Sequence, residues 1–189
     1  MSKAYLLLAD GFETIEALTP IDVLRRCGIE VITVSINNTN KVISSHKIMV
    51  ESDIFLKENN IDSVLDGDMI ILPGGYPGYI NLQNSKEVSS IIKDYYKNNK
   101  YIAAICGGPT VIAKNNIAKG CNITCHTSVR DEMSDYIIDK EYDKYQGVII
   151  DGKIITGIGA GHSLDFSLAI AEILSDRATV ESVMKKMEI

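Results

Sequence analysis

Positive charge is scarce in this 189-residue sequence: 19 Lys and Arg stand against 25 Asp and Glu, a formal net charge of −6. Nucleic acid and anionic membranes both reward clustered cations, so neither is expected as the main partner. Long apolar runs are missing too. YLLLA, near the start, is closed by Asp10 and is too short for a signal sequence or a membrane span. A cytoplasmic location is the expectation that follows. The four cysteines, Cys27, Cys106, Cys121 and Cys125, lack the paired spacing of a disulfide framework, so free thiols are expected. Cys121-x-x-x-Cys125-His126 has one residue too many between its cysteines for a haem-attachment motif, and no second pair completes a zinc site. No metal is expected. With no repeat, low-complexity tract or linker either, residues 1–189 read as a single domain.

Apolar residues, by contrast, make up 46% of the chain and fall in short runs. AYLLLA (4–9), EVITVSI (30–36), MIIL (69–72) and YIAAIC (101–106) suit strands buried on both faces of a parallel sheet. The first, third and fourth lead into a glycine-containing turn and a helix-like stretch, which predicts an α/β domain with right-handed crossovers. In the first helix Ile15, Leu18, Ile21 and Leu24 recur every three residues and are expected to face the sheet. Pro20 predicts a kink or a break there, and Gly28, after Arg25, Arg26 and Cys27, predicts the helix end. Late in the chain, GVIIDGKIITG (147–157) predicts a hairpin with a type I′ turn at Asp151-Gly152. Residues 162–176 and 178–187 predict two closing helices.

In open parallel sheets, ligands sit beyond the carboxyl ends of the strands. Three segments fall there: Asp10 to Glu16, Pro73 to Gly78 and Cys106 to Pro109. Cys106 ends a strand and opens a helix, where a tight turn lifts a side chain above the sheet and flanking glycines relieve backbone strain. The G-x-S-x-G elbow of hydrolases uses the same device. A helix N-terminus favours thiolate, so a pKa below the free value of about 8.5 is expected; the plainer alternative is a small buried hydrophobe. Pro109 fits the first helical turn. Gly74 and Gly75 make a second turn whose bare N–H groups suit an oxyanion or a thiolate substituent, or simply a turn. Glu13 and Glu16, three apart, are either favourable charge at a helix start or include a carboxyl kept protonated beside a thiolate, and spacing does not say which of the two. His126, after NITC (122–125), reads as a strand-end residue near the same edge or as a structural histidine. His162, at a helix start, and His46, beside a hairpin, carry weaker signals.

On these motifs the chain resembles the DJ-1/ThiJ/PfpI superfamily, on its DJ-1-like branch. ADGFETIEALTPIDVLRRCGI, ILPGGYPG, AAICGGPTVIA, the histidine after ITC, and GAGHSLDFSLAI occur in the family's order and spacing over nearly the whole length. The resemblance implies a flavodoxin-like three-layer α/β sandwich, with a mostly parallel central sheet and helices on both faces, in a homodimer. It matches Cys106 to the reactive elbow cysteine, Glu16 rather than Glu13 to its carboxylic acid partner, and His126 to the pocket histidine. Gly75 and Gly107 match backbone donors around the pocket, with Gly74 adjoining. Two departures stand out at Gly107: the protease branch has histidine there, which argues against proteolysis, and nearer relatives usually have alanine.

The activity implied is a cofactor-independent glyoxalase acting on a small aldehyde, methylglyoxal or glyoxal, with deglycation of early adducts as a related activity. Cys106 would form a hemithioacetal, Glu16 would shuttle protons with His126 assisting, and the Gly75 and Gly107 N–H groups would hold the oxyanion. The alternative is a redox-sensing protein or chaperone in which Cys106 is oxidised to a sulfinate without essential turnover.

Overall fold

Side-chain alternation along the strands sorts the apolar residues into two cores. In the computed structural model, which describes residues 1–56, 61–138 and 145–189, β1 (Lys3–Leu8) sends Ala4, Leu6 and Leu8 to one face and Tyr5 and Leu7 to the other, all buried. It is followed by α1 (Thr14–Arg26), β2 (Glu30–Ser35), a hairpin of β3 (Lys41–Ile43) and β4 (Met49–Glu51), and the short β5 (Ile54–Phe55). Next come β6 (Met69–Leu72), α2 (Gly78–Asn84), α3 (Lys86–Lys97), β7 (Tyr101–Ile105) and α4 (Pro109–Lys114). The chain closes with β8 (Asn122–Ile123), β9 (Ile137–Ile138), β10 (Val148–Asp151), β11 (Ile154–Gly157), α5 (Ser163–Leu174) and α6 (Arg177–Lys186).

The central sheet has the order β10-β11-β7-β6-β1-β2-β5. Every neighbouring pair in it is parallel except β10 with β11. One face packs on α1, α5 and α6 through residues such as Ile71, Ala103, Val23, Leu24, Phe166 and Ile170. The other packs on α3 and α4 through Ile70, Ile102, Val88, Ile91, Val111 and Ile112. The result is the three-layer α/β sandwich, mostly parallel in its sheet. Helix ends follow side-chain chemistry: Ser85 caps α3 by accepting the Val88 N–H, and Asp176 caps α6 by accepting that of Thr179. Among the described residues no helix is long and apolar enough to cross a membrane.

Four local expectations change. The buried face of α1 is Glu16, Ala17, Pro20, Val23 and Leu24, a spacing of three and four, while Ile15 is 53% and Leu18 37% exposed. A threefold spacing drifts around the helix, and the inner face includes a carboxyl that hydropathy assigns to solvent. Secondly, Pro20 does not break α1, which runs uninterrupted from Thr14 to Arg26; its missing N–H removes the intrahelical donor of the Glu16 carbonyl. Gly28 does end the helix, with φ +74° just past the Cys27 cap.

The late hairpin pairs Asp151 with Ile154, so its turn residues are Gly152 and Lys153, one position beyond the expected pair. Gly152 has φ +60° and Lys153 is not among the positive-φ residues, which rules out a type I′ turn, since that needs both. Finally, NITC contributes only the two residues of β8, paired with β9 outside the central sheet. The Asn122 N–H goes instead to Asp151 Oδ2 and that of Thr124 to Thr156 Oγ1, both at 2.8 Å, so side chains replace a sheet ladder there.

Leu24 is fully buried between α1 and the sheet. Leu24→Ala is expected to lower the unfolding free energy by about 2–5 kcal/mol, measured by urea denaturation.

Candidate active site

β1 has β2 on one side and β6 on the other, so the chain leaves the carboxyl ends of β1 and β6 in opposite directions. Such a switch point opens a crevice at the sheet edge. The segments after β1, β6 and β7 meet there, and Cys106, Glu16 and Gly74 are in mutual contact. A Cβ placed on Gly74 would lie 2.7 Å from Glu16 Oε2, 2.8 Å from Cys106 Cβ and 2.9 Å from the Gly107 nitrogen.

Cys106 adopts φ +63°, a left-handed conformation that L-residues avoid. Its backbone is held from two directions: its N–H donates to the Gly157 carbonyl at the end of β11, and its carbonyl accepts the His126 N–H, both at 2.9 Å. The strain is therefore fixed by the surrounding structure. Gly108 and Pro109 then start α4. The Cys106 sulfur accepts hydrogen bonds from the backbone of Gly75 and Gly107 and pairs with the Glu16 side chain.

Glu16 is wholly inaccessible to solvent. Its Oε2 accepts the Gly74 N–H at 2.9 Å, Oε1 has no hydrogen-bond partner among the described residues, and the carboxyl as a whole couples to the Cys106 thiol. Gly74 therefore spends its N–H on orienting the carboxyl, whereas the Gly75 and Gly107 N–H groups reach the sulfur directly. Glu13 instead caps α1, its Oε2 accepting the Glu16 N–H at 2.8 Å, while its own N–H donates to the Gly74 carbonyl. The two glutamates that spacing left undistinguished thus divide into a helix cap and a buried acid.

Burial pushes the Glu16 carboxyl up to about 7, against hydrogen bonds from Cys106 and Gly74 that favour its charge. The thiol moves opposite to expectation. Burial, followed by the charge and hydrogen bond of Glu16, pushes Cys106 up to about 12, and the Gly107 and Gly75 N–H groups offset only part of this. The helix that follows has six residues and begins three positions on, too little to outweigh a buried carboxylate. The two groups consequently share one proton above about pH 7. When that proton sits on Glu16, the repulsive charge is gone and the carboxyl becomes a third donor to the sulfur.

His126 is brought to the site by its backbone, and its exposed ring adjoins Gly159, where a Cβ would lie 3.6 Å from Cδ2. Nδ1 accepts the Ser128 N–H at 3.2 Å and lies 2.8 Å from the Ser128 hydroxyl, so the neutral ring carries its proton on Nε2. Ser128 thus orients the ring, and nothing in the sequence around it marks it for that role. The weaker candidates lie elsewhere: His46 pairs with Ser45, and His162 sits against Gly147 with Nδ1 3.8 Å from Asp165. Cys27 and Cys125 are buried and Cys121 is partly so. Among the described residues no cluster of three His, Cys, Asp or Glu is arranged to hold a metal ion.

Tyr79 is a second residue that sequence motifs do not point to. Its backbone N–H donates to the Gly75 carbonyl at 2.9 Å, and its ring lies against Gly107, with Cδ1 2.6 Å from where a Cβ would stand. A tyrosine in PGGYPGY carries no local sign of such a contact; only the first glycine of CGG, next to the thiol, hints that something occupies its side-chain space.

With this geometry in place, the relatives are informative. The family model described as DJ-1/PfpI family matches residues 2–173. This chain belongs to the DJ-1/PfpI family. It is 34% identical over 174 residues to the Parkinson disease protein 7 homolog of Danio rerio, covering 91% of this chain and 89% of that one. It is 30% identical over 190 residues to the glutathione-independent glyoxalase DJR-1.2 of Caenorhabditis elegans, covering 98% and 95%. The crystal structure of Drosophila melanogaster DJ-1beta superposes with a TM-score of 0.90 at 31% identity, over 100% of this chain and 99% of that one. The DJ-1 fold is thus shared along the whole chain.

The shared proton has a kinetic signature. Alkylation of Cys106 by iodoacetamide, followed by peptide mass spectrometry, is expected to rise with an inflection near pH 7, where Glu16 titrates, and the inflection moves to higher pH in Glu16→Gln. Stability carries the opposite mark. The folded chain holds an extra proton at Glu16 between its ordinary value of 4.5 and about 7, so stability falls as pH rises through that window. The full loss is on the order of 3 kcal/mol. Glu16→Gln should therefore be more stable than wild type at pH 8 in urea unfolding, with the gain shrinking toward pH 5.

Proposed function

We propose that this protein is a glutathione-independent glyoxalase that converts methylglyoxal or glyoxal and water to the 2-hydroxy acid, without cofactor. One observation carries the reading: a solvent-excluded carboxyl, Glu16, is coupled to a thiol on a strained elbow whose sulfur already receives two backbone N–H groups. The name of the Caenorhabditis elegans relative supports the same chemistry.

The Cys106 thiolate attacks the aldehyde carbon, and the shared proton on Glu16 passes to the new alkoxide to give a hemithioacetal. Glu16, now a carboxylate, removes the proton from that carbon and returns it to the neighbouring one through an enediol. The product is a thioester of Cys106 and the 2-hydroxy acid. Water cleaves it, restoring the thiol and releasing the acid. The Gly75 and Gly107 N–H groups stabilise charge on the reacting atoms, and His126 offers Nε2–H at the exposed side. Gly74 acts one step back, by fixing the carboxyl that moves the protons. Deglycation of early adducts would draw on the same thiol and acid.

A redox reading is favoured by a different feature of the same pair. Protonated Glu16 is a ready donor to a Cys106 sulfinate, and a charge-assisted bond of that kind would halt oxidation there. The assembly we propose is a homodimer. Ile15 and Leu18 on α1 and Ile43, Ile48 and Met49 on the β3–β4 hairpin are exposed. The hairpin is tied to the turn before α1 by the Gly11 N–H to the Ile43 carbonyl and the Ser45 N–H to that of Phe12. A second copy would cover these side chains.

The deciding experiment supplies methylglyoxal in large molar excess without glutathione or metal and quantifies D- and L-lactate. Lactate far above enzyme stoichiometry, lost in Cys106→Ser and in Glu16→Gln, is the expected result. Aldehyde loss that stops at one equivalent, with no lactate, would give the redox reading the lead. In sedimentation velocity the wild type should run as a dimer, and Ile15→Asp/Leu18→Asp as a monomer.

A further inference from the structure

Gly107 is not required by its own backbone: its φ lies outside the left-handed region, unlike that of Gly75 at +89°. What a side chain there would meet is the ring of Tyr79, at 2.6 Å for Cδ1, 2.7 Å for Cγ and 3.0 Å for Cε1. All three are ring atoms whose retreat moves the whole side chain. The backbone of Tyr79 is tied to the Gly75 carbonyl, so this residue touches both glycines whose N–H groups serve the Cys106 sulfur. The ring is only partly buried, and among the described residues its hydroxyl has no hydrogen-bond partner. Tyr76, 74% exposed, extends the aromatic surface outward, with ring centroids 6.4 Å apart at a 58° tilt. Burial and the charges of Glu132, Tyr76 and Cys106 raise the Tyr79 phenol, in keeping with a ring beside the thiol.

We propose that Tyr79, seated on Gly107, is the residue that sets the width of the approach to Cys106 and restricts it to small electrophiles. The glycine at 107 makes room for the ring, and the ring takes the volume that a bulkier substituent would need next to the sulfur and its Gly107 donor. In terms of the glyoxalase reading, on which this part rests, the substrate class is short aliphatic 2-oxoaldehydes rather than aryl-substituted ones. The hydroxyl takes no part; the ring acts by occupying space.

Thiol reagents test the wall without assuming turnover. Second-order rates of Cys106 modification by iodoacetamide and by N-phenylmaleimide are measured by peptide mass spectrometry in wild type, Tyr79→Ala and Tyr79→Phe. The ratio of the bulky to the small reagent is expected to rise about tenfold in Tyr79→Ala, a typical effect of changed pocket volume, and to stay unchanged in Tyr79→Phe. An unchanged ratio in Tyr79→Ala would overturn the proposal, and so would a lower one, which would make the ring a stacking platform for aryl groups. A changed ratio in Tyr79→Phe would overturn the assignment to ring volume. A parallel comparison of kcat/KM for phenylglyoxal and methylglyoxal should shift in the same direction. If neither aldehyde turns over while the reagent ratio still rises, the wall stands and the glyoxalase reading alone fails.

Discussion

The contact between the Glu16 carboxyl and the Cys106 thiol is the constraint around which the rest of the site is arranged. A carboxyl removed from water is costly unless it is neutralised or hydrogen-bonded. Here Oε2 takes the Gly74 N–H, Oε1 has no hydrogen-bond partner among the described residues, and burial holds the carboxyl's proton up to about pH 7. That arrangement requires position 74 to carry no side chain, because a Cβ would intrude on both partners. It also requires the thiol to stand above the sheet, which the positive φ of Cys106 achieves and the Gly157 and His126 hydrogen bonds maintain. Sequence positions about 90 residues apart are thus tied by a single proton.

Much of the scaffold was legible because a parallel sheet buried on both faces leaves a simple trace. MIIL became β6 without adjustment, and the other three runs shifted by at most one residue at each end. The placing of Cys106, the 73–78 turn and the 10–16 turn at one sheet edge followed from their position after the carboxyl ends of parallel strands, and the strand order itself was not read. Helix α1 was harder because its inner face contains the acid itself. Hydropathy puts a glutamate outside and isoleucines inside, and the reverse holds for Glu16, Ile15 and Leu18. Where sequence patterning fails in this helix, the residue responsible belongs to the site.

Other features depend on contacts that no local window contains. The helix start after Cys106 was visible in the glycines and Pro109, but the desolvation of the thiol was not, and that desolvation sets the direction of its titration. Ser128 and Tyr79 are likewise defined by what they touch: an imidazole nitrogen in one case, a bare glycine in the other. Family resemblance pointed to Glu16 rather than Glu13, and the structure separates the two physically: a side-chain oxygen of Glu13 is occupied by the Glu16 N–H, while the Glu16 carboxyl is buried beside Cys106.

The sandwich has its two cores on opposite sides of the sheet, and the acid and the thiol both lie on the side that α1, α5 and α6 cover. Glu16 rides on α1, in the layer with α5 and α6, whereas Cys106 is bonded through its backbone to β11 and the His126 turn. The separation of acid and sulfur is therefore set by the packing of α1 on the sheet, and with it the affinity of both for their common proton. The protonation state of the pair is thereby tied to how α1 seats on the sheet, and not only to the groups that touch the sulfur.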